Sequence, residues 1–308
     1  MLVSAIVTTH NREPEIVGRA IKSIVNQSYK NIEIIVVDDS SADYPQRPEI
    51  RKLIEVYLND GVRIKYISHE VNRGACAARN TGLAESRGEI IGFLDDDDEW
   101  MPQKVEVMIE AFMDEDVGLV YGNNILKNDD TGYERVVKRH NYCGSVYDKL
   151  ILCNFIGSTS FPLFRRKSLV SVGGFDENMQ SAQDADAYLR VSKEYHVVFV
   201  NDVVAIYHLH NKERISSSVD RKISGLERIN EKNAEYLDNN RKAFWIRKMK
   251  LATYYAKRGD WDKSYNLWVQ CVKKRPLSIV GNTTQLLFII HDFYMIGKKR
   301  DRVHFDNN

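Results

Sequence analysis

A chain of 308 residues, 43% hydrophobic and 28% charged, has the composition of a folded protein longer than one average domain, and it excludes a largely disordered chain. Its net charge of +1 hides an asymmetry, because residues 241–302 hold 15 Lys and Arg against 4 Asp and Glu while the remainder is acidic. That split points to an acidic body and a basic C-terminal piece able to face an anionic surface.

The N-terminal stretch has no basic segment followed by a long apolar run, so no signal peptide is expected and the chain opens as a cytosolic first strand. Val3 to Thr8 is a short apolar run leading straight into Thr9-His10-Asn11-Arg12. Pro14 suits the first turn of a helix, where its missing N–H costs nothing, and Ile16, Val17, Ala20, Ile21, Ile24 and Val25 then recur on one helical face. A second apolar run, Ile32 to Val37, ends in Asp38-Asp39-Ser40-Ser41. A helix through about Ile50 to Leu58, a strand Arg63 to Ser68, the turn Asn72-Arg73-Gly74 and an Ala-rich helix through Arg79 to Ser86 follow. A third apolar run, Ile90 to Leu94, ends in Asp95-Asp96-Asp97-Asp98, and a helix is predicted over Gln103 to Met113. Repeated strand–helix units predict an α/β fold, a mainly parallel sheet with helices on both faces. Parallel neighbours bring the three polar strand ends to one sheet edge, where such sheets bind ligands.

Four adjacent carboxylates repel one another unless water or a cation takes up the charge. A solvated acidic turn is one reading. The other is a site for Mg²⁺ or Mn²⁺, which take one or two carboxylates plus substrate phosphates. The first strand–helix turn lacks GxGxxG, and GxxxxGK[ST] is absent, so neither a dinucleotide dehydrogenase nor a P-loop NTPase is supported. The cysteines Cys76, Cys143, Cys153 and Cys271 show no metal-ligand spacing and read as small core residues of a reducing compartment.

Val7–Arg12 (VTTHNR), Val36–Ser41 (VVDDSS), Asn72–Gly82 (NRGACAARNTG) and Phe93–Val105 (FLDDDDEWMPQKV) resemble the motifs of family 2 glycosyltransferases. So do Gly173–Glu177 (GGFDE), Ser181–Arg190 (SAQDADAYLR) and Tyr207–His210 (YHLH), in the same order, over about Leu2 to Ser218. The resemblance implies a GT-A-like, Rossmann-related mixed sheet over residues 1–220, with an all-α extension over 221–302 and a tail at 303–308. It implies an inverting, metal-dependent transfer of one hexose or N-acetylhexosamine from a UDP-sugar to a glycan hydroxyl, in bacterial surface-glycan synthesis. Thr9, His10, Asn11, Arg12, Asp38 and Asp39 would hold the nucleoside, with Asn72 also among the nucleotide-sugar contacts. Arg79 would lie over the base or near the phosphates, a role suited to a guanidinium. Asp97 would ligate the metal and Asp95 the ribose or the metal's water. Asp96, near the nucleotide sugar, and Asp98 would stand behind these contacts or face solvent. His210 would complete the metal site or contact a phosphate, with His208 the lesser candidate and a purely structural histidine the alternative.

Asp184 stands at the position of the family's catalytic base, where a carboxylate removes the acceptor hydroxyl's proton. The usual Glu-Asp pair is Gln183-Asp184 here, which leaves Asp186 as a second candidate. QxxRW, the signature of processive synthases, is absent. Residues 251–276 are similar to one tetratricopeptide unit and read as a helical hairpin. Leu277 to Ile296, flanked by basic clusters, fits either a helix in a membrane interface or a core helix with basic ends. The first of these makes a polyprenyl-linked acceptor attractive, with the protein cytoplasmic or peripheral on the inner face of an anionic membrane. No nucleic-acid partner is expected. The competing functions are nucleotidyl transfer to a sugar phosphate and a non-catalytic scaffold acting through the helical tail.

Overall fold

The computed structural model describes residues 1–209 and 218–274. The described chain forms two compact units. The first contains Met1–Asn178 and the segment beginning at Gln183, and the second contains Met179–Ala182 and the helices from Val219 onward.

The first unit opens with β1 (Val3–Thr9), α1 (Pro14–Val25), β2 (Ile32–Asp38), α2 (Arg47–Asn59), β3 (Ile64–Ser68), α3 (Ala75–Glu85) and β4 (Ile90–Asp95). It continues with β5 (Glu99–Trp100), α4 (Lys104–Ile109), β6 (Val117–Asn128), β7 (Glu134–Val137) and α5 (Tyr147–Leu150). β8 (Leu163–Arg165), α6 (Arg166–Ser171), α7 (Gln183–Glu194) and β9 (His196–Leu209) complete it. The predicted helix at Gln103–Met113 is α4 followed by a 3₁₀ turn at Glu110–Met113.

The strands lie in the order β3-β2-β1-β4-β8-β6-β9-β5, with β7 on β6. The first four pair in parallel, as their helical crossovers demand. Beyond β4 the sheet is mixed, because β8 runs antiparallel to both neighbours while β6 and β9 are parallel. Strand alternation sends Val3, Ala5 and Val7 into one core with Val17, Ile21 and Ile24 of α1, Ile50 and Ile54 of α2, and Val105 and Met108 of α4. Ile6 points the other way, toward α3, so helices cover both faces. There a methyl group on Gly82 would stand 2.4 Å from Ile6 Cγ2, and this close approach is why position 82 carries no side chain.

Register then fixes the site. Thr9 pairs with Asp38, Thr8 with Asp95, and Asp38 with Ser68, so three polar strand ends stand side by side. Cys76 and Cys271 are buried as expected, but Cys143 and Cys153 are exposed, since both lie in irregular segments outside the core.

The second unit packs α8 (Val219–Lys232), α9 (Ala234–Asn239), α10 (Arg241–Arg258) and α11 (Trp261–Lys274). Helix starts at Val219, where Ser218 caps it by accepting the Arg221 N–H. α10 and α11 form the expected hairpin, in which the buried Ser264 hydroxyl donates to Ala252 O at 2.9 Å. Ile223 and Leu226 of α8 pack with Leu251 and Tyr255 of α10 in the core of this unit. Among the described residues no helix is long and apolar enough to cross a membrane. The stretch Leu277–Ile296 lies outside the described residues.

Candidate active site

The loop after β1 is braced by its neighbours. Asn11, in the left-handed region with φ 48°, donates its N–H to Ser40 Oγ at 2.9 Å. The His10 ring lies 3.1 Å from Asp39 O and 3.2 Å from Asn72 Nδ2. Thr9 is buried at the strand end. Asp38 is fully buried, accepting from Tyr66 OH at 2.6 Å and from the Ser40 N–H, with Arg47 Nε at 3.3 Å. Burial and this carboxylate push the Tyr66 phenol well above its ordinary value. Asp39 accepts from the Arg73 and Gly74 N–H groups at 2.8 and 2.7 Å and faces His69 Nδ1 at 2.7 Å. Both carboxylates thus shape the walls that present Thr9–Arg12 and Asn72.

The acidic turn follows β4. Arg12 spans two of its carboxylates, with Nε 2.9 Å from Asp96 Oδ1 and Nη2 3.1 Å from Asp97 Oδ2. Burial raises the Asp96 carboxyl to about 6, although Arg12 pulls it down. Burial, with Asp95 and Asp97 adding repulsion, also lifts Asp98 well above the carboxylate range. The option of solvent-facing side chains at Asp96 and Asp98 is therefore corrected: they are 5% and 1% exposed, because the turn folds them back under Asp97.

The turn is tied to a cluster that sequence reasoning missed. The buried His208 ring bridges Asp129 Oδ1 at 2.6 Å and Glu99 Oε1 at 2.9 Å, while its backbone N–H donates to Asp98. Arg19 joins Asp129 and donates to the backbone carbonyl of Asp97 at 2.7 Å. His208, ranked below His210 on sequence, thus has a defined place beneath the turn. The one available signal was a histidine inside an apolar strand run, where its ring nitrogens need partners. His210 lies outside the described residues. Among the described residues no group of three or more His, Cys, Asp or Glu side chains is arranged to hold a metal ion.

Arg79 links the donor-side acids to the start of α7. It is 7% exposed, donates to Asp95 Oδ1 at 2.8 Å and to Gln183 Oε1 at 2.9 Å, and lies 5.5 Å from the centre of the Phe175 ring. Ser158 and Thr159 hydroxyls also approach Asp95, at 3.3 and 3.4 Å. Asn80, next to Arg79, holds the Gly-Gly-Phe turn through Phe175 N and O, each at 2.8 Å. Asp184 stands in the first turn of α7 and accepts from Asn154 Nδ2 at 2.9 Å. Burial raises its carboxyl above the ordinary value, offset by the Ala185 N–H and by Arg79. Asp186, 2% exposed, pairs with Arg190 at 2.8 Å, whereas Asp184 is only partly covered.

Residues 4–173 match the profile "Glycosyl transferase family 2", more than half of the chain. The chain is 32% identical over 251 residues to the putative colanic acid biosynthesis glycosyl transferase WcaA of Escherichia coli, covering 80% of this chain and 86% of that protein. It is 28% identical over 298 residues to the GalNAc(5)-diNAcBac-PP-undecaprenol beta-1,3-glucosyltransferase of Campylobacter jejuni, covering 94% and 92%. Among solved structures, S. aureus TarS 1-349 in complex with UDP-GlcNAc superposes with a TM-score of 0.58 at 18% identity, covering 90% of this chain and 92% of that one. The mannosyltransferase PcManGT of Pyrobaculum calidifontis, in complex with GDP-Man and Mn2+, gives 0.59 at 17%, covering 99% and 88%. The last two establish the fold alone. The profile match sets nucleotidyl transfer aside, and with a sheet edge carrying the family's motifs in family order, the chain belongs to glycosyl transferase family 2.

Proposed function

We propose that this glycosyltransferase moves one hexose or N-acetylhexosamine from a UDP-sugar to a hydroxyl of a polyprenyl-linked glycan acceptor in surface-glycan synthesis, with inversion and with a divalent metal, Mn²⁺ or Mg²⁺. The observation that carries this reading is the Arg79 bridge. One guanidinium joins Asp95, at the donor end of β4, to Gln183, the residue beside Asp184. The leaving-group side and the base side are thereby held one arginine apart.

Asp184 takes the proton of the acceptor hydroxyl as that oxygen attacks the anomeric carbon. Its raised pKa makes it a better base than an exposed aspartate. Asn154 aims the carboxylate, and Arg79 is poised to follow the negative charge that develops on the departing diphosphate. A single base opposite the leaving group means one displacement and an inverted anomeric centre. Thr9–Arg12 and Asn72 receive the nucleoside against walls set by Asp38 and Asp39.

The donor set fits a hard divalent cation. Asp97, with its side chain 28% exposed at the tip of the turn, offers carboxylate oxygen next to Asp95, and substrate phosphates complete such sites. When bound, the metal supplies charge neutralisation on the diphosphate. Asp97 and Asp95 would hold it, with His210 a further proposed ligand. The relatives named for diphosphoundecaprenol substrates support the acceptor class. α10 carries seven Lys and Arg and no Asp or Glu, which suits peripheral contact with an anionic membrane.

Thermal shift with UDP, GDP, CDP and dTDP, each with and without Mn²⁺, on wild type and Asp97→Ala tests the reading. A shift for UDP that needs both Mn²⁺ and Asp97 is expected. Absence of a metal-dependent shift with every nucleotide refutes it.

A further inference from the structure

Arg139 follows β7 in the segment Lys138-Arg139-His140, outside every motif considered so far. It is half-buried, and burial pulls its pKa down, yet no carboxylate lies within ion-pair distance among the described residues. Its partners are neutral. The buried Asn124 Oδ1 accepts from both Nε at 3.0 Å and Nη2 at 2.7 Å. The buried Asn123 Oδ1 accepts the Arg139 backbone N–H at 2.8 Å, and the Phe161 ring centre lies 5.1 Å from the guanidinium carbon. Asn124 therefore fixes the direction of the guanidinium without cancelling its charge, while Asn123 holds the backbone beneath it.

A cation partly withdrawn from water and held only by neutral groups gains from pairing with an anion. Its surroundings point to what that is. The base Asp184 accepts from Asn154 Nδ2, and the same nitrogen donates to Gly157 O at 3.2 Å. Gly157, with φ 103°, lies against Arg139, since a methyl group there would stand 2.9 Å from Nη2. One short chain of contacts thus runs from base to cation. Tyr188, fully buried, feels the charges of both Asp184 and Arg139.

We infer that Arg139 is a specificity residue for the acceptor, binding the phosphate that links the acceptor sugar to its lipid while that sugar's hydroxyl sits at Asp184. This rests on the acceptor-side reading of Asp184 above. The edge of the fork turned to Asn124 is occupied, and the remaining N–H groups of the guanidinium serve the anion in the geometry that favours arginine over lysine at phosphates.

Calorimetric titration with geranyl diphosphate, on protein saturated with UDP and Mn²⁺ so that the donor site is filled, tests the inference. Arg139→Gln is expected to weaken the binding about 10- to 100-fold, the range for a hydrogen bond to a charged group. Asn124→Asp is the sharper variant, because it keeps the acceptor oxygen for Arg139 but cancels the charge. Anion binding is expected to fall at least about tenfold there too, whereas a merely structural arginine would be held more firmly. UDP affinity within about twofold of wild type in both variants marks an intact fold and donor site. Equal geranyl diphosphate binding by wild type and both variants overturns the inference. So does no binding by wild type, or inorganic phosphate binding as tightly as the diphosphate ester. Failure of wild type to bind UDP sinks the donor reading instead, and the geranyl diphosphate arm still reports on Arg139.

Discussion

Replacing Asp184 with asparagine separates chemistry from folding. The carboxylate is the group proposed to remove the acceptor proton, and general-base catalysis contributes about 10²- to 10⁴-fold. An amide of the same shape has no basic oxygen, so kcat is expected to fall by about that factor, some 3–5 kcal/mol of barrier. The structural cost is far smaller. The carbonyl of the introduced amide can still accept from Asn154, now as a neutral pair, which forfeits about 1 kcal/mol relative to a charged acceptor. Loss of negative charge in the first turn of α7 removes up to about 1 kcal/mol more. Relief of burying a carboxylate acts the other way, in line with the raised pKa. The net change is expected within about 1 kcal/mol, a melting shift of about 2–4 °C. Steady-state kinetics, a melting curve and UDP titration on the same preparation give all three readings. The pH profile adds a fourth. Because burial lifts the Asp184 carboxyl, the active carboxylate form is lost as pH falls through a value above that of an ordinary aspartate, and the acidic limb of kcat moves up with it. That limb is expected to vanish in Asp184→Asn. Retention of more than about a tenth of kcat would refute the assignment, as would an unchanged acidic limb.

Two further substitutions test the scaffold of the site. His208→Gln removes the ring that joins Asp129 to Glu99, and disrupting such a cluster is expected to cost about 3 kcal/mol in a urea titration. A change below about 0.5 kcal/mol would mean that the bridge contributes nothing to stability. Gly82→Ala gains about 1 kcal/mol of helix propensity but drives a methyl group to 2.4 Å from Ile6 Cγ2, so a net loss of about 1–2 kcal/mol is expected by the same method. Net stabilisation would show that α3 can move off the sheet.

Periodicity and strand-end chemistry made the first half of the fold legible. Pro14, the apolar runs at Val3, Ile32 and Ile90, and the Asp clusters after two of them carry local signals that need no tertiary information. The antiparallel insertion of β8 beside β4 was not legible, because three residues, Leu163–Arg165, hold too short a pattern to reveal a pairing partner. The same limit applied within the site. Arg79 and Asp95 stood out by motif, but the hold of Arg79 on Gln183 depends on a helix more than a hundred residues along the chain. Arg139 gave no signal of its own and His208 only a weak one, since a lone arginine after a strand and a lone histidine within one acquire their place from Asn124, Asp129 and Glu99.

The double pairing of β1 has a consequence for how this chain can vary. β1 fixes the level of Asp38 on one side and of Asp95 on the other through a continuous register, with Thr9 and Thr8 as the facing residues. Deleting one residue from β1 would shift Thr9–Arg12 by a step relative to both acidic ends and turn its core side chains to the opposite face. Insertions and deletions should therefore be lethal within Val3–Thr9 yet tolerated in surface turns such as Asp130–Tyr133. Directed-evolution libraries that vary length for new specificity have their room in the turns, and the ruler that aligns donor contacts with the acidic turn must keep its seven residues.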